Sequence, residues 1–137
     1  MRERGALVPL MLSLAAAVCY LWTLTDCKFY GRNKQPRDGL FIYDGWLVNR
    51  CKAYVTGDVT IRGRGAMLRQ FATDGLVAVE ANYQGAPAGA GTGVTIDQST
   101  ANLLWLKPGT SGSVTASVIE RTSNETTAGS WTIEAAT

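Results

Sequence analysis

Histidine is absent from this 137-residue chain, which removes several chemistries at once. His general bases, Ser-His-Asp and Cys-His nucleophile arrangements and the commonest zinc ligand sets are excluded. Carboxylates, arginines and thiols remain. Asp44, Asp58, Asp74 and Asp97 fall mostly in turn-like strings, where Asp bonds its own backbone. No two carboxylates are singled out as the acid and base that glycoside hydrolysis needs. Arg62, Arg64 and Arg69 could make an anion site, but a strand followed by a turn points them in different directions. The strings Gly63-Arg64-Gly65 and Gly89-Ala90-Gly91-Thr92-Gly93 look superficially like phosphate loops. Neither has the strand, six-residue fingerprint and helix that such loops require, so both read as turns. The sequence assigns no catalytic, metal or cofactor residue, and the expectation is a non-enzymatic protein without a cofactor.

Of the three cysteines, Cys19 lies inside an apolar stretch. Cys27 and Cys51 lie beyond it and form a candidate disulfide in an oxidising compartment. Closing that loop would stabilise the fold by roughly 3 kcal/mol on the chain-entropy estimate. Two free thiols are the alternative. A net charge of +2 from thirteen basic and eleven acidic residues is too balanced to select nucleic acid as a partner.

The apolar stretch covers residues 6–25 and carries no charge. As a helix it would be roughly 30 Å long, the thickness of a bilayer's hydrocarbon core. Pro9 falls in its first turn, where a missing N–H is harmless. Tyr20 and Trp22 suit a membrane–water interface, and Ser13 and Ala17 form a small-xxx-small pair for helix packing. Lys28, Arg32, Lys34 and Arg37 follow, placed to meet anionic headgroups. Their excess over Arg2 and Arg4 puts the C-terminal part in the cytoplasm by the positive-inside rule, against an exported β-domain with a disulfide. Ala15-Ala16-Ala17 also offers a signal-peptide cleavage pattern, so the segment is read as an anchor or a signal.

Residues 26–39 are polar and basic, with Gly31, Pro36 and Gly39, and read as a linker. Residues 40–137 read as one β-rich domain. Asp44-Gly45, Gly57-Asp58 and Asp74-Gly75 each separate two apolar runs, the pattern of tight hairpins. Residues 84–93 are a Gly-rich loop. Val114, Ala116 and Val118, and later Trp131, Ile133 and Ala135, alternate as strands with one buried face do. Eight or nine short strands at roughly 8–12 residue spacing predict an antiparallel β-sandwich or barrel-like domain after a single N-terminal transmembrane-type helix. No repeat of constant period is visible. Trp46, Trp105 and Trp131 are expected in the core, with Trp46 and Trp105 as the alternative ligand platform.

These features predict a membrane-anchored structural protein with an exported β-domain. It would be a subunit of a surface, membrane-complex, virion or pilus-like assembly. Its partners would be membrane lipid and other protein subunits, as a homo- or hetero-oligomer, with no specific nucleic acid or small molecule. The alternative is an exported glycan- or ligand-binding module with a cleaved signal.

Overall fold

A computed structural model of the chain describes residues 22–30, 39–54 and 58–134. Every regular element in it is a strand: β1 (Thr23–Thr25), β2 (Lys28–Tyr30), β3 (Leu40–Ile42), β4 (Leu47–Asn49), β5 (Lys52–Tyr54), β6 (Val59–Ile61), β7 (Met67–Arg69), β8 (Ala72–Thr73), β9 (Leu76–Val79), β10 (Val94–Asp97), β11 (Thr100–Leu106), β12 (Gly112–Thr115), β13 (Val118–Asn124) and β14 (Trp131–Glu134). Each strand pairs with its counterpart one coil earlier or later, and every pairing is parallel. The chain is therefore wound as a parallel β-solenoid.

One sheet runs β1-β4-β7-β10-β12-β14 and forms the first face. The other, eight-stranded sheet supplies two faces. Its β2, β5 and β8 end of β11 and β13 makes the second face, and β3, β6, β9 with the far end of β11 and β13 makes the third. Inward residues stack from coil to coil: Leu24, Val48, Leu68, Ile96 and Val114 on the first face, and Ile42, Ile61, Val79 and Leu106 on the third. All but Leu24 belong to one continuous buried core, and Leu24 packs against it.

The parallel pairing overturns the expected antiparallel sandwich or barrel. Asp44-Gly45 and Asp74-Gly75 are corners between faces, since the strands on either side of them pair with other coils; Gly57 lies outside the described residues. At Asp44-Gly45 the next coil clasps the corner: Gly45 N–H donates to the Arg64 carbonyl at 2.9 Å, and Arg64 N–H donates to Asp44 Oδ1 at 2.8 Å. Strands of two to four residues bury too little against one hairpin partner. Stacked in parallel, each inward residue is covered by its equivalents above and below.

The expected transmembrane helix is also corrected. Among the described residues no helix is long and apolar enough to cross a membrane. Thr23–Thr25, at the end of the apolar stretch, form β1 opposite β4, with Leu24 half-buried between two exposed β-branched threonines. Residues 1–21, with Ser13, Ala17 and Tyr20, lie outside the described residues, as do Arg32, Lys34 and Arg37. Trp22 stacks on Trp46 with centroids 5.7 Å apart, so the folded body begins ahead of residue 40.

One corner recurs on every coil. Asp26, Arg50, Gln70, Gln98 and Ala116 all have φ between 49° and 57°, the left-handed region. Each donates its N–H to the next coil, at Asn49, Arg69, Asp97, Thr115 and Glu134 respectively. A non-glycine residue held there costs roughly 1–2 kcal/mol, offset by a backbone hydrogen bond that would otherwise be unmade. Glycine is required where the backbone crowds. A Cβ on Gly112 would overlap the Val94 backbone, and Trp131 is its register partner on the next coil.

Candidate functional site: side-chain rows along the coils

Parallel register places equivalent positions of successive coils about 4.8 Å apart, so any side chain meets its own counterpart. The residue after the third-face strand is Tyr43, Arg62, Glu80 and Lys107 on four successive coils. The last three alternate in charge. Arg62 Nε donates to Glu80 Oε2 at 2.6 Å, and Lys107 Nζ donates to Oε1 at 3.3 Å. The Glu80 side chain is only 14% exposed, against 26% for Arg62 and 30% for Lys107. Burial alone would raise the Glu80 pKa, but the hydrogen bonds and charges of Arg62 and Lys107 hold it below its ordinary value.

Aromatic rings close over this row. The Arg62 guanidinium lies 4.3 Å from the Phe41 ring centroid and 4.5 Å from that of Tyr83. Lys107 Nζ sits 4.3 Å above Trp105. Residues 81–93 bring Tyr83 here by leaving the coil after β9 and rejoining it at β10. The return is tight: Gly91 donates to the Arg62 carbonyl at 3.1 Å, and a Cβ at its φ of 69° would stand 2.6 Å from the Glu80 carbonyl oxygen. The same excursion encloses a hollow of about 570 Å³ with Gly109, lined by small and uncharged residues such as Asn82, Ala88 and Thr92.

The left-handed corner carries a second row. Asp26 and Arg50 form a two-pronged ion pair at 2.8 and 3.1 Å, and Gln70 donates to Gln98 at 2.9 Å. The hydrogen bond from Arg50 lowers the Asp26 pKa. The next position reads Cys27, Cys51, Phe71, Ser99 and Ser117. Ser99 Oγ accepts Phe71 N–H at 3.2 Å and donates to Asp97 O; Ser117 Oγ accepts Ser99 N–H at 3.1 Å and donates to Thr115 O. Cys51 Sγ occupies the same place, accepting Cys27 N–H at 3.3 Å and lying 3.4 Å from the Asn49 and Leu24 carbonyl oxygens. The thiol does a serine's work there.

A third arrangement lies outside the second face. Lys28 is opposite Lys52 and Tyr30 opposite Tyr54. The tyrosine rings stack at 4.9 Å and 7°, with Tyr30 70% and Tyr54 37% exposed, and Lys52 Nζ is 4.9 Å from the Tyr54 centroid. A hollow of about 500 Å³ beside them is lined by Lys28, Lys52, Arg50, Asp26, Cys27 and Cys51 among others.

Cys27 and Cys51 are thus brought together as thiols on adjacent coils. Trp46 is buried against Trp22 and Tyr43, and Trp105 is half-buried under Lys107. Trp131 finds an acceptor in Thr110 Oγ1 at 3.0 Å; the indole N–H groups of Trp46 and Trp105 find none among the described residues. Arg62 and Arg69 serve separate pairs, the latter 4.0 Å from Asp97, and Arg64 lies against Gly89, so the three arginines do not converge. Among the described residues no group of three or more Cys, Asp or Glu could hold a metal.

Sequence reasoning missed the charged row because its members are far apart along the chain. One signal was present: Leu24-Thr25-Asp26-Cys27, Val48-Asn49-Arg50-Cys51, Leu68-Arg69-Gln70-Phe71, Ile96-Asp97-Gln98-Ser99 and Val114-Thr115-Ala116-Ser117 share a pattern. Each has an inward aliphatic residue, an outward residue, a left-handed corner, and an inward Cys, Ser or Phe. No protein-family model matches the chain, and neither a curated protein nor a solved structure matches it.

Proposed function

We propose that this protein is a non-enzymatic structural subunit whose coil stack packs against other protein subunits. The observation that carries this reading is that a largely enclosed carboxylate, Glu80, is committed to Arg62 and Lys107. A carboxylate fixed as an anion between two cations is a poor proton donor or acceptor near neutral pH. Among the described residues the coil stack also leaves a place for a neighbour. Strand β13 has seven residues and pairs with β11 along one side only among the described residues, with Glu120 to Asn124 exposed. An unpaired strand edge of that length can add a strand from another chain.

Light scattering of the purified full chain, with mild lysine cross-linking, tests the reading. A discrete oligomer with cross-linked subunits is the expected result. A monodisperse monomer that yields no cross-linked species would sink it.

A binding role has one specific observation in its favour, the Lys28/Lys52 and Tyr30/Tyr54 rows beside a hollow. Two stacked cations suit an anionic group, and the exposed Tyr30 ring suits the apolar face of a sugar. Titration with an acidic oligosaccharide and a neutral one of equal length separates the readings. Saturable binding of the acidic chain, weakened by Lys52→Gln, would support it; absence of binding would remove it.

A further inference from the structure

We propose that Cys27 and Cys51 form a disulfide that staples the first coil to the second, closing a site built into the recurring corner. Lys28 and Lys52 are register partners, so the cysteines immediately before them are equivalent positions on adjacent coils. The parallel-strand spacing of about 4.8 Å falls within the Cα separation of roughly 4.4–6.8 Å that a disulfide spans. The Cys27 amide already points at Cys51 Sγ from 3.3 Å. Both thiols adjoin the 500 Å³ hollow that opens at this corner, which gives a small oxidant access.

The reason to single out this pair is its contrast with the coils that follow. At Ser99 and Ser117 the same position is filled by a hydroxyl that bridges coils through hydrogen bonds alone. The first two coils have sulfur, which makes those bonds and can also be joined covalently. They are held by three-residue ladders, β1 to β4, β2 to β5 and β3 to β6, so a crosslink there adds a covalent tie between coils joined by short ladders.

The oxidant is a low-molecular-weight disulfide. The half-buried Cys27 is the accessible sulfur, and as thiolate it attacks one sulfur of the oxidant, releasing one thiol and leaving a mixed disulfide. Cys51, whose burial pushes its pKa up, gives up its proton and attacks Cys27 Sγ, releasing the second thiol. Two protein thiols are oxidised and one external disulfide is reduced to two thiols.

Glutathione disulfide is the probe, applied to the folded full chain, followed by alkylation under denaturing conditions and mass analysis. The expected product has lost two hydrogens, carries label on Cys19 only, and gives a Cys27–Cys51 linked peptide. Its Tm exceeds that of the reduced chain by about 10 °C, as a loop of this size would give. The double variant C27S/C51S keeps the bridging hydrogen bonds, folds, and shows no Tm change with oxidant. The proposal is overturned if both cysteines remain alkylatable, if glutathione adducts or links to Cys19 accumulate instead, or if the double variant gains the same Tm on oxidation.

Discussion

The outer third face and the outer second face obey one geometry and use it in opposite ways. On the third face the stacked position reads Arg62, Glu80, Lys107, and each charge meets its opposite on the next coil. On the second face it reads Lys28 then Lys52, like beside like, with Tyr30 on Tyr54 next to them. A solenoid multiplies whatever a position holds. Alternating sign makes the row cohesive, whereas repeated sign leaves a field that a partner of opposite charge can satisfy. The difference separates a row that holds the molecule together from one available for contact.

Breaking the third-face row should have the largest effect. Glu80→Ala leaves Arg62 and Lys107 without their shared anion in a partly buried setting, and should cost about 2–4 kcal/mol. Urea unfolding measures this, and a loss below that of an ordinary surface substitution would make the row incidental.

The same row should set the acid side of the stability profile. Because Glu80 titrates below its unfolded value near 4.5, its contribution is present above that pH and is lost as the pH falls through the lower folded value. Unfolding midpoints taken from pH 7 down to pH 3 should fall for the native chain and fall less steeply for Glu80→Gln. Equal slopes in the two chains would place the acid sensitivity elsewhere.

Smaller effects belong to the second face. Tyr54→Ala removes one ring of an exposed stacked pair and should cost about 0.5–1.5 kcal/mol. Lys52→Glu converts the repeated charge to an alternating one beside Lys28, and should stabilise the fold by about 0.2–1 kcal/mol, with the gain shrinking in high salt. If Lys52→Glu instead destabilises, the two lysines are already compensated and the contrast between the faces narrows.

The sequence-based reading reached the strands of the body better than their partners. Val94-Thr95-Ile96, Leu103 to Leu106 and Trp131-Thr132-Ile133 are legible as strands, and all three stretches are strands in the structure. Inward and outward alternation in a three-residue strand is identical whether it is paired in a hairpin or in a coil, so the pattern carries no direction. Asp44-Gly45 shows the consequence. The dipeptide reads as a tight hairpin turn, yet it is a corner joining two faces, and both its residues are bonded by Arg64, one coil away. The coil repeat stayed hidden because its length varies: Thr23 meets Leu47, Leu47 meets Met67, Met67 meets Thr95, Thr95 meets Ser113 and Ser113 meets Thr132, offsets of 24, 20, 28, 18 and 19 residues. The excursion that carries Tyr83 and Gly91 accounts for the longest. Of the candidate residues, Cys27 and Cys51 were legible as a pair, while the Arg62–Glu80–Lys107 row was not, since eighteen and twenty-seven residues separate its members.

By itself the sequence determined the local terms: which residues suit short strands, where the chain turns sharply, and that no histidine chemistry is available. Only the tertiary structure decided that the strands run parallel and that Glu80 lies between two cations. Strand propensity and turn chemistry act over a few neighbouring residues. Register and direction are fixed by burying every coil against the next, and that energy belongs to contacts about twenty residues apart, which no local pattern contains.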